Sequence, residues 1–153
     1  MNRSSYLTRN IDEIDHAILA ALVADGRMTT KDLADLIGMA SPSIAARILK
    51  MKDAGAIQGY TVVIDPLAFG LSVTAYVRLS STTGDLNGLK HMINGTPQVV
   101  EANHVSGNDC FVAKVMARDV REFEQVISSF SPIAAVESNI ILSSTVPRRL
   151  PKL

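Results

Sequence analysis

The period of the apolar pattern changes at Gly59, and that change rules out one continuous architecture for the chain. Upstream, apolar residues recur three or four apart, as on the buried stripe of a helix. Downstream they alternate or cluster as β-branched runs, as in strands. Ile14, Ile18 and Leu22 mark a first helix, opened by Asp12 as its cap and closed at Gly26; Glu13 and Asp15 sit at the end of the helix where the dipole favours acids. A second, short helix carries Leu33, Ala34 and Ile37 inward, with Thr30 expected as its cap and Gly38 as its stop. In the third, Ser41 and Pro42 read as N-cap and first helical residue, and Gly55 supplies a left-handed stop after Ala54.

A short helix, a glycine turn and another helix form the layout of a helix-turn-helix. At about 100° per residue, Ile44, Ile48 and Met51 are expected to project inward and Ser43, Ala46, Arg47 and Lys50 outward. A small, basic stripe enters a major groove without steric conflict. Arg47 is expected to read a guanine edge, with Ser43 and Lys50 on phosphates or bases. Lys+Arg and Asp+Glu both number 15, but binding depends on where charges sit, not on their sum. Between Gly26 and Tyr60, Arg27, Lys31, Arg47, Lys50 and Lys52 outnumber Asp32, Asp35 and Asp53. The candidate DNA-binding set is Arg27, Ser41, Ser43, Ala46, Arg47 and Lys50. The helix pattern alone leaves two readings open, a DNA-binding surface and an ordinary solvated helix.

After Gly59, Tyr60 to Ile64 reads as a short strand ended by the turn signal Asp65-Pro66. Leu71 to Ser81 alternates as a strand, and Asp85 caps a helix holding Leu86, Leu89 and Ile93. Val99 to Ser106 is the next strand, and Gly107-Asn108-Asp109 turns it into another, Cys110 to Ala117. Asp119 caps a helix holding Phe123, Val126 and Phe130, and a last strand runs from Val136 to Ser144. The order βαββαβ is that of the ferredoxin-like split unit. An internal echo favours it: Val100-Glu101-Ala102-Asn103 returns as Val136-Glu137-Ser138-Asn139, offset by 36 residues. The helices cover one sheet face, so the other, expected to carry Val77 and Ile141, needs a partner. The fold class is α+β, with a winged-type helix-turn-helix three-helix domain over 1–59 and a linker strand and turn over 60–70. A ferredoxin-like effector-binding and oligomerisation domain spans 71–145, followed by a flexible basic tail, 146–153.

With 153 residues, 47% hydrophobic and 20% charged, the chain builds its cores without a metal or disulfide staple. The single cysteine, Cys110, has no partner for an internal disulfide. With no signal peptide and no apolar run near the roughly 18 residues of a membrane span, a reducing, cytoplasmic setting is expected.

The chain resembles the Lrp/AsnC (leucine-responsive, feast/famine) family of transcriptional regulators. The likeness lies in Ile11-Asp12-Glu13-Ile14-Asp15-His16-Ala17-Ile18-Leu19, Asp25-Gly26-Arg27, Asp32-Leu33-Ala34 and Ile37-Gly38-Met39. It continues through Arg47-Ile48, Gly55-Ala56-Ile57 and Gly59-Tyr60. It implies double-stranded DNA as partner, a homodimer with higher assembly such as an octamer, and an amino-acid effector. It also implies that the Tyr60–Ile64 strand pairs with its counterpart in a second subunit. Two departures touch the recognition helix. Ala40 stands where the family has serine, with Ser41 one place later. The basic run after Arg47 is thinned, since Leu49 and Met51 flank Lys50.

No catalytic constellation, phosphate loop or zinc spacing stands out, and no cofactor or metal is expected. His16, His91 and His104 are scattered. The candidate effector residues are Gly107, Asn108 and Asp109, with Ser138 and Asn139. An amide and a carboxylate on a glycine turn can hold the two ends of an amino acid, and in the resembling family this turn lines the ligand pocket. Here Cys110 takes the place of the family's acid and Asp109 precedes it. The residues alone read equally as a plain β-turn. Two rival functions share the architecture. A sirohaem-decarboxylase-like enzyme is expected to place histidine and several arginines on the sheet, where this chain offers His104 and Arg78. An architectural DNA-compacting protein shares every DNA feature.

Overall fold

The computed structural model describes residues 11–107 and 111–146, and the chain divides between Val63 and Ile64 into two compact units. The N-terminal unit packs α1 (Glu13–Ala24), α2 (Thr30–Ile37) and α3 (Ser41–Asp53) around one core. Ile18, Leu33, Ala34, Ile44 and Met51 are buried there, flanked by Ile14, Leu22, Ile37, Ile48 and Ile57.

Each helix starts where its sequence offers the first orphan N–H groups a partner. Asp12 and Asp15 form a reciprocal capping box on α1. The cap of α2 is Thr29, not Thr30: its hydroxyl accepts the Asp32 amide at 3.1 Å, and Asp32 reaches back. The cap of α3 is Ala40, not Ser41. The Ala40 carbonyl already accepts the amides of Ser43 and Ile44, so Ser41 and Pro42 fall inside the first turn. Gly38 and Gly55 are left-handed, with φ of 77° and 73°. Gly26 is not; α1 stops two residues earlier, and the Asp25 carboxylate takes the Arg27 amide at 2.8 Å.

The expected strand Tyr60–Ile64 is absent. These residues form no ladder, with Val62 79% and Val63 95% exposed. A ladder needs a neighbouring edge, and among the described residues none pairs with this segment. No strand forms in the N-terminal unit among the described residues, so no wing follows α3 there.

The C-terminal unit holds β1 (Val73–Ser81), α4 (Leu86–Gly95), β2 (Val99–His104), β3 (Phe111–Ala117), α5 (Val120–Phe130) and β4 (Ala134–Ile140). The strands are antiparallel in the order β2-β3-β1-β4, the ferredoxin-like arrangement. Asp85 and Asp119 cap α4 and α5 as expected. One face of the sheet, with Val73, Ala75, Val77, Leu79, Phe111 and Val115, packs with Leu89, Ile93, Phe123, Val126 and Phe130 of the helices.

Val77 therefore lies inside and not on the open face, because odd-numbered β1 residues share the side of Ala75 and Leu79. The open face carries Tyr76, Arg78, Val112, Lys114, Glu101 and Glu137, with Arg78 and Glu137 ion-paired across β1 and β4. β4 begins two residues earlier than expected and ends at Ile140. The Ile141 amide makes one last bond to Thr74 at 2.8 Å, and β1 offers nothing beyond. The echoed segments form the two opposite edges of the sheet. Each of their glutamates faces a basic residue in register, Glu101 opposite Lys114 and Glu137 opposite Arg78.

Candidate nucleic-acid interface

The helix-turn-helix is α2, the Gly38 turn and α3. On α3, Ser43, Ala46 and Lys50 are exposed, away from the buried Ile44 and Met51. Ser41 is half-buried in the first turn, and Arg27 is exposed between α1 and α2.

Arg47 departs from its expected place. It lies three residues after Ile44 and four before Met51, each within about 60° on the helix, so it flanks the buried stripe. Its side chain is only 25% exposed, and Nη1 bridges Asp12 Oδ2 and Asp15 Oδ1, both at 2.7 Å. Asp15 is wholly buried. Its second oxygen accepts the Asp12 amide at 3.3 Å, and Asp12 Oδ1 accepts the Asp15 amide at 2.8 Å. One guanidinium thus ties the N-terminus of α1 to the middle of α3. The Asp15 amide and then Arg47 hold the Asp12 carboxyl below its ordinary range; Asp12 first and then Asp15 hold Arg47 above its own. So engaged, the guanidinium is directed at α1 and not outward with Ser43, Ala46 and Lys50. Its partners were missed because Asp12 and Asp15 read as cap and dipole residues. The available signal was Asp15 itself, an acid at the spacing of Ile18 and Leu22 on the inward face, where a charge requires a counter-ion.

The candidate effector residues are not drawn into one place within the chain. Gly107 is exposed with φ of 112°, while Asn108 and Asp109 lie outside the described residues. Ser138 pairs with Val77 and Asn139 with Tyr76, so the two point to opposite faces. β1 and β3 separate them from the Gly107 turn, a distance of roughly 14 Å at the usual strand spacing. His104 and Arg78 are similarly divided. His104 stacks on Phe111 with centroids 5.0 Å apart on the helix side, and Arg78 lies on the open side. Among the described residues no group of three or more His, Cys, Asp or Glu could hold a metal ion, and no helix could cross a membrane.

The three-helix unit with its helix-turn-helix and the ferredoxin-like unit each match a known domain, and together those matches define a regulator with a DNA-binding and a ligand domain. Residues 11–52 match the AsnC-type helix-turn-helix domain, and residues 74–151 match the Lrp/AsnC ligand binding domain. The chain belongs to the Lrp/AsnC family of transcriptional regulators. It is 29% identical to the HTH-type transcriptional regulator AldR of Mycolicibacterium smegmatis, over 87% of this chain and 82% of that relative. The structure of Bacillus subtilis LrpC is 26% identical with a TM-score of 0.85, covering 91% of this chain and 99% of that one. The same fold recurs in the feast or famine regulatory protein Rv3291c of Mycobacterium tuberculosis, solved with L-methionine. That chain is 24% identical, with a TM-score of 0.86 over 92% of this chain and 98% of that one.

Proposed function

We propose that this regulator is sequence-specific, docks α3 in the major groove, acts as a dimer or higher assembly, and answers to an amino acid or a related metabolite. The observation that carries the DNA reading is the geometry of α3. Its inward side is fixed by Ile44, Met51 and the Arg47–Asp15 pair, which leaves Ser43, Ala46 and Lys50 outward on a rigid rod. Arg27, exposed in the preceding turn, adds a phosphate contact. In a dimer, two such helices meet half-sites about 34–36 Å apart or a multiple of that.

Two features support self-association: a sheet face with no helix upon it, and a β-branched segment, Val62–Val63, left without a ladder partner. For the effector, the support is the match to a ligand-binding domain and the L-methionine bound in Rv3291c. If the Gly107–Asp109 turn contributes, Ser138 and Asn139 belong to a different part of the surface or to a site completed by another subunit. A decarboxylase-like function gains no support from His104 and Arg78, which face opposite sides of the sheet.

Selection of bound fragments from random duplexes, with and without an amino-acid mixture, tests this reading. Enrichment of discrete sites whose spacing or affinity shifts with the mixture is expected. Sequence-blind recovery favours an architectural role, and no recovery at low ionic strength removes the DNA assignment.

A further inference from the structure

The outward side of α3 is chemically different from the basic stripe its sequence suggests. With Arg47 turned toward Asp12 and Asp15, the residues opposite Ile44, Ile48 and Met51 are Pro42, Ala46 and Leu49, with Asp53 at the end of the helix, all exposed. Leu49 is 59% exposed in the middle of a 13-residue helix. At about 1.5 Å per residue, Pro42 to Leu49 spans about 10 Å, or roughly three base-pair steps.

The major groove offers such a surface one favourable partner, the C5 methyl of thymine. Guanine, cytosine and adenine present only hydrogen-bonding groups there, and thymine alone adds a methyl beside its O4. A leucine pressed on those edges strips their water without replacing it, which penalises them. An apolar stripe therefore discriminates twice, by burying thymine methyls and by rejecting unpaired polar edges.

We propose that Leu49, assisted by Ala46, reads thymine C5-methyl groups, so that methyl contact and not guanine hydrogen bonding defines the centre of each half-site. This rests on α3 being the helix that enters the groove. Ser43 and Lys50, beside the stripe, supply hydrogen bonds or phosphate contacts that hold the helix in register.

The test uses the full chain and a duplex recovered by selection, in which each thymine is replaced in turn by deoxyuridine. The change deletes one methyl and leaves base pairing intact. Fluorescence anisotropy is expected to show affinity falling about fourfold at one or more central positions, the loss from one buried methyl. In Leu49→Ala, affinity for the thymine duplex falls, and at one of those positions the thymine–deoxyuridine difference shrinks to within about twofold. Because Leu49 is exposed, the circular dichroism and Tm of that variant stay unchanged. Equal binding of thymine and deoxyuridine duplexes at every position overturns the proposal, as does a Leu49→Ala variant that keeps every penalty in full. A Leu49→Ala change in assembly state with no change in methyl dependence assigns the leucine to a protein contact and also overturns it. Those results leave DNA binding by α3 standing, whereas failure of the parent protein to bind any duplex removes both readings.

Discussion

Arg47 and Asp15 are 32 residues apart in sequence and 2.7 Å apart in space, the guanidinium of α3 against a carboxylate of α1 that no solvent reaches. A buried carboxylate without its cation is more damaging than the intact pair is stabilising. Arg47→Ala is therefore expected to lower the Tm by roughly 5 °C or more and to weaken binding by a similar factor on every DNA sequence.

Arg47→Lys separates positioning from base reading. Nη1 alone bridges the two carboxylates, a task one ammonium can also perform, whereas a bidentate guanine contact needs the guanidinium fork. Scanning calorimetry and anisotropy on a matched and a mutated site should show the lysine variant keeping most of the stability and its sequence preference. A stable lysine variant with lost preference at one base pair makes Arg47 a reader after all.

The Arg118–Glu122 pair gives the C-terminal unit an acid sensitivity. Glu122 is drawn from 4.5 to about 2, first by hydrogen bonding from the Arg118 guanidinium, then by the Arg118 amide and Gln98. A carboxyl lowered in the folded state contributes stability that is fully present above about 4.5 and lost as pH falls toward 2. Glu122→Gln should lower the Tm at neutral pH and flatten its decline across that window, as measured by calorimetry at stepped pH.

The two glycines that frame α2 are expected to respond oppositely to alanine. Gly38 has φ of 77° and open space around a Cβ, so Gly38→Ala costs only the backbone penalty, roughly 1 kcal/mol. Gly26 lies outside the left-handed region, and its nearest neighbour to an added Cβ is 3.7 Å away. Gly26→Ala is expected to be neutral or to stabilise by up to about 1 kcal/mol. Urea denaturation of both variants checks the contrast.

Lys50 is exposed on the outward flank of α3. As a phosphate contact, its replacement by alanine reduces the slope of log affinity against log salt by about 1, equally on specific and scrambled duplexes. Titrations at four or five salt concentrations measure this directly.

Where apolar spacing governed the outcome, the fold was legible in the sequence. Ile18, Leu33, Ile44 and Met51 meet in one core, and the Val73–Leu79 alternation lies in a sheet of ferredoxin-like order. Errors arose where one residue's choice decided. Ser41 looked a better cap than Ala40, but helix bonding begins at a carbonyl and needs no hydroxyl. Val77 was placed on the open face although its parity with Ala75 and Leu79 puts it inside. The helical wheel was read as placing Arg47 outward, yet its angular neighbours are Ile44 and Met51, and the acid that neutralises it is a long way off in the chain. The Tyr60–Ile64 run shows a different limit. β-propensity marks a segment ready to pair, but it does not decide whether an edge lies alongside it.

The central claim is that α3 presents its outward face to duplex DNA while Arg47 holds it from behind. Anisotropy titration of the full chain on a selected duplex and its scrambled counterpart, from low to physiological salt, tests this most directly. Tighter binding to the selected duplex, weakening with salt and weakened further by Lys50→Ala with the fold intact, is the predicted result. Equal or absent binding to both duplexes at low salt contradicts it.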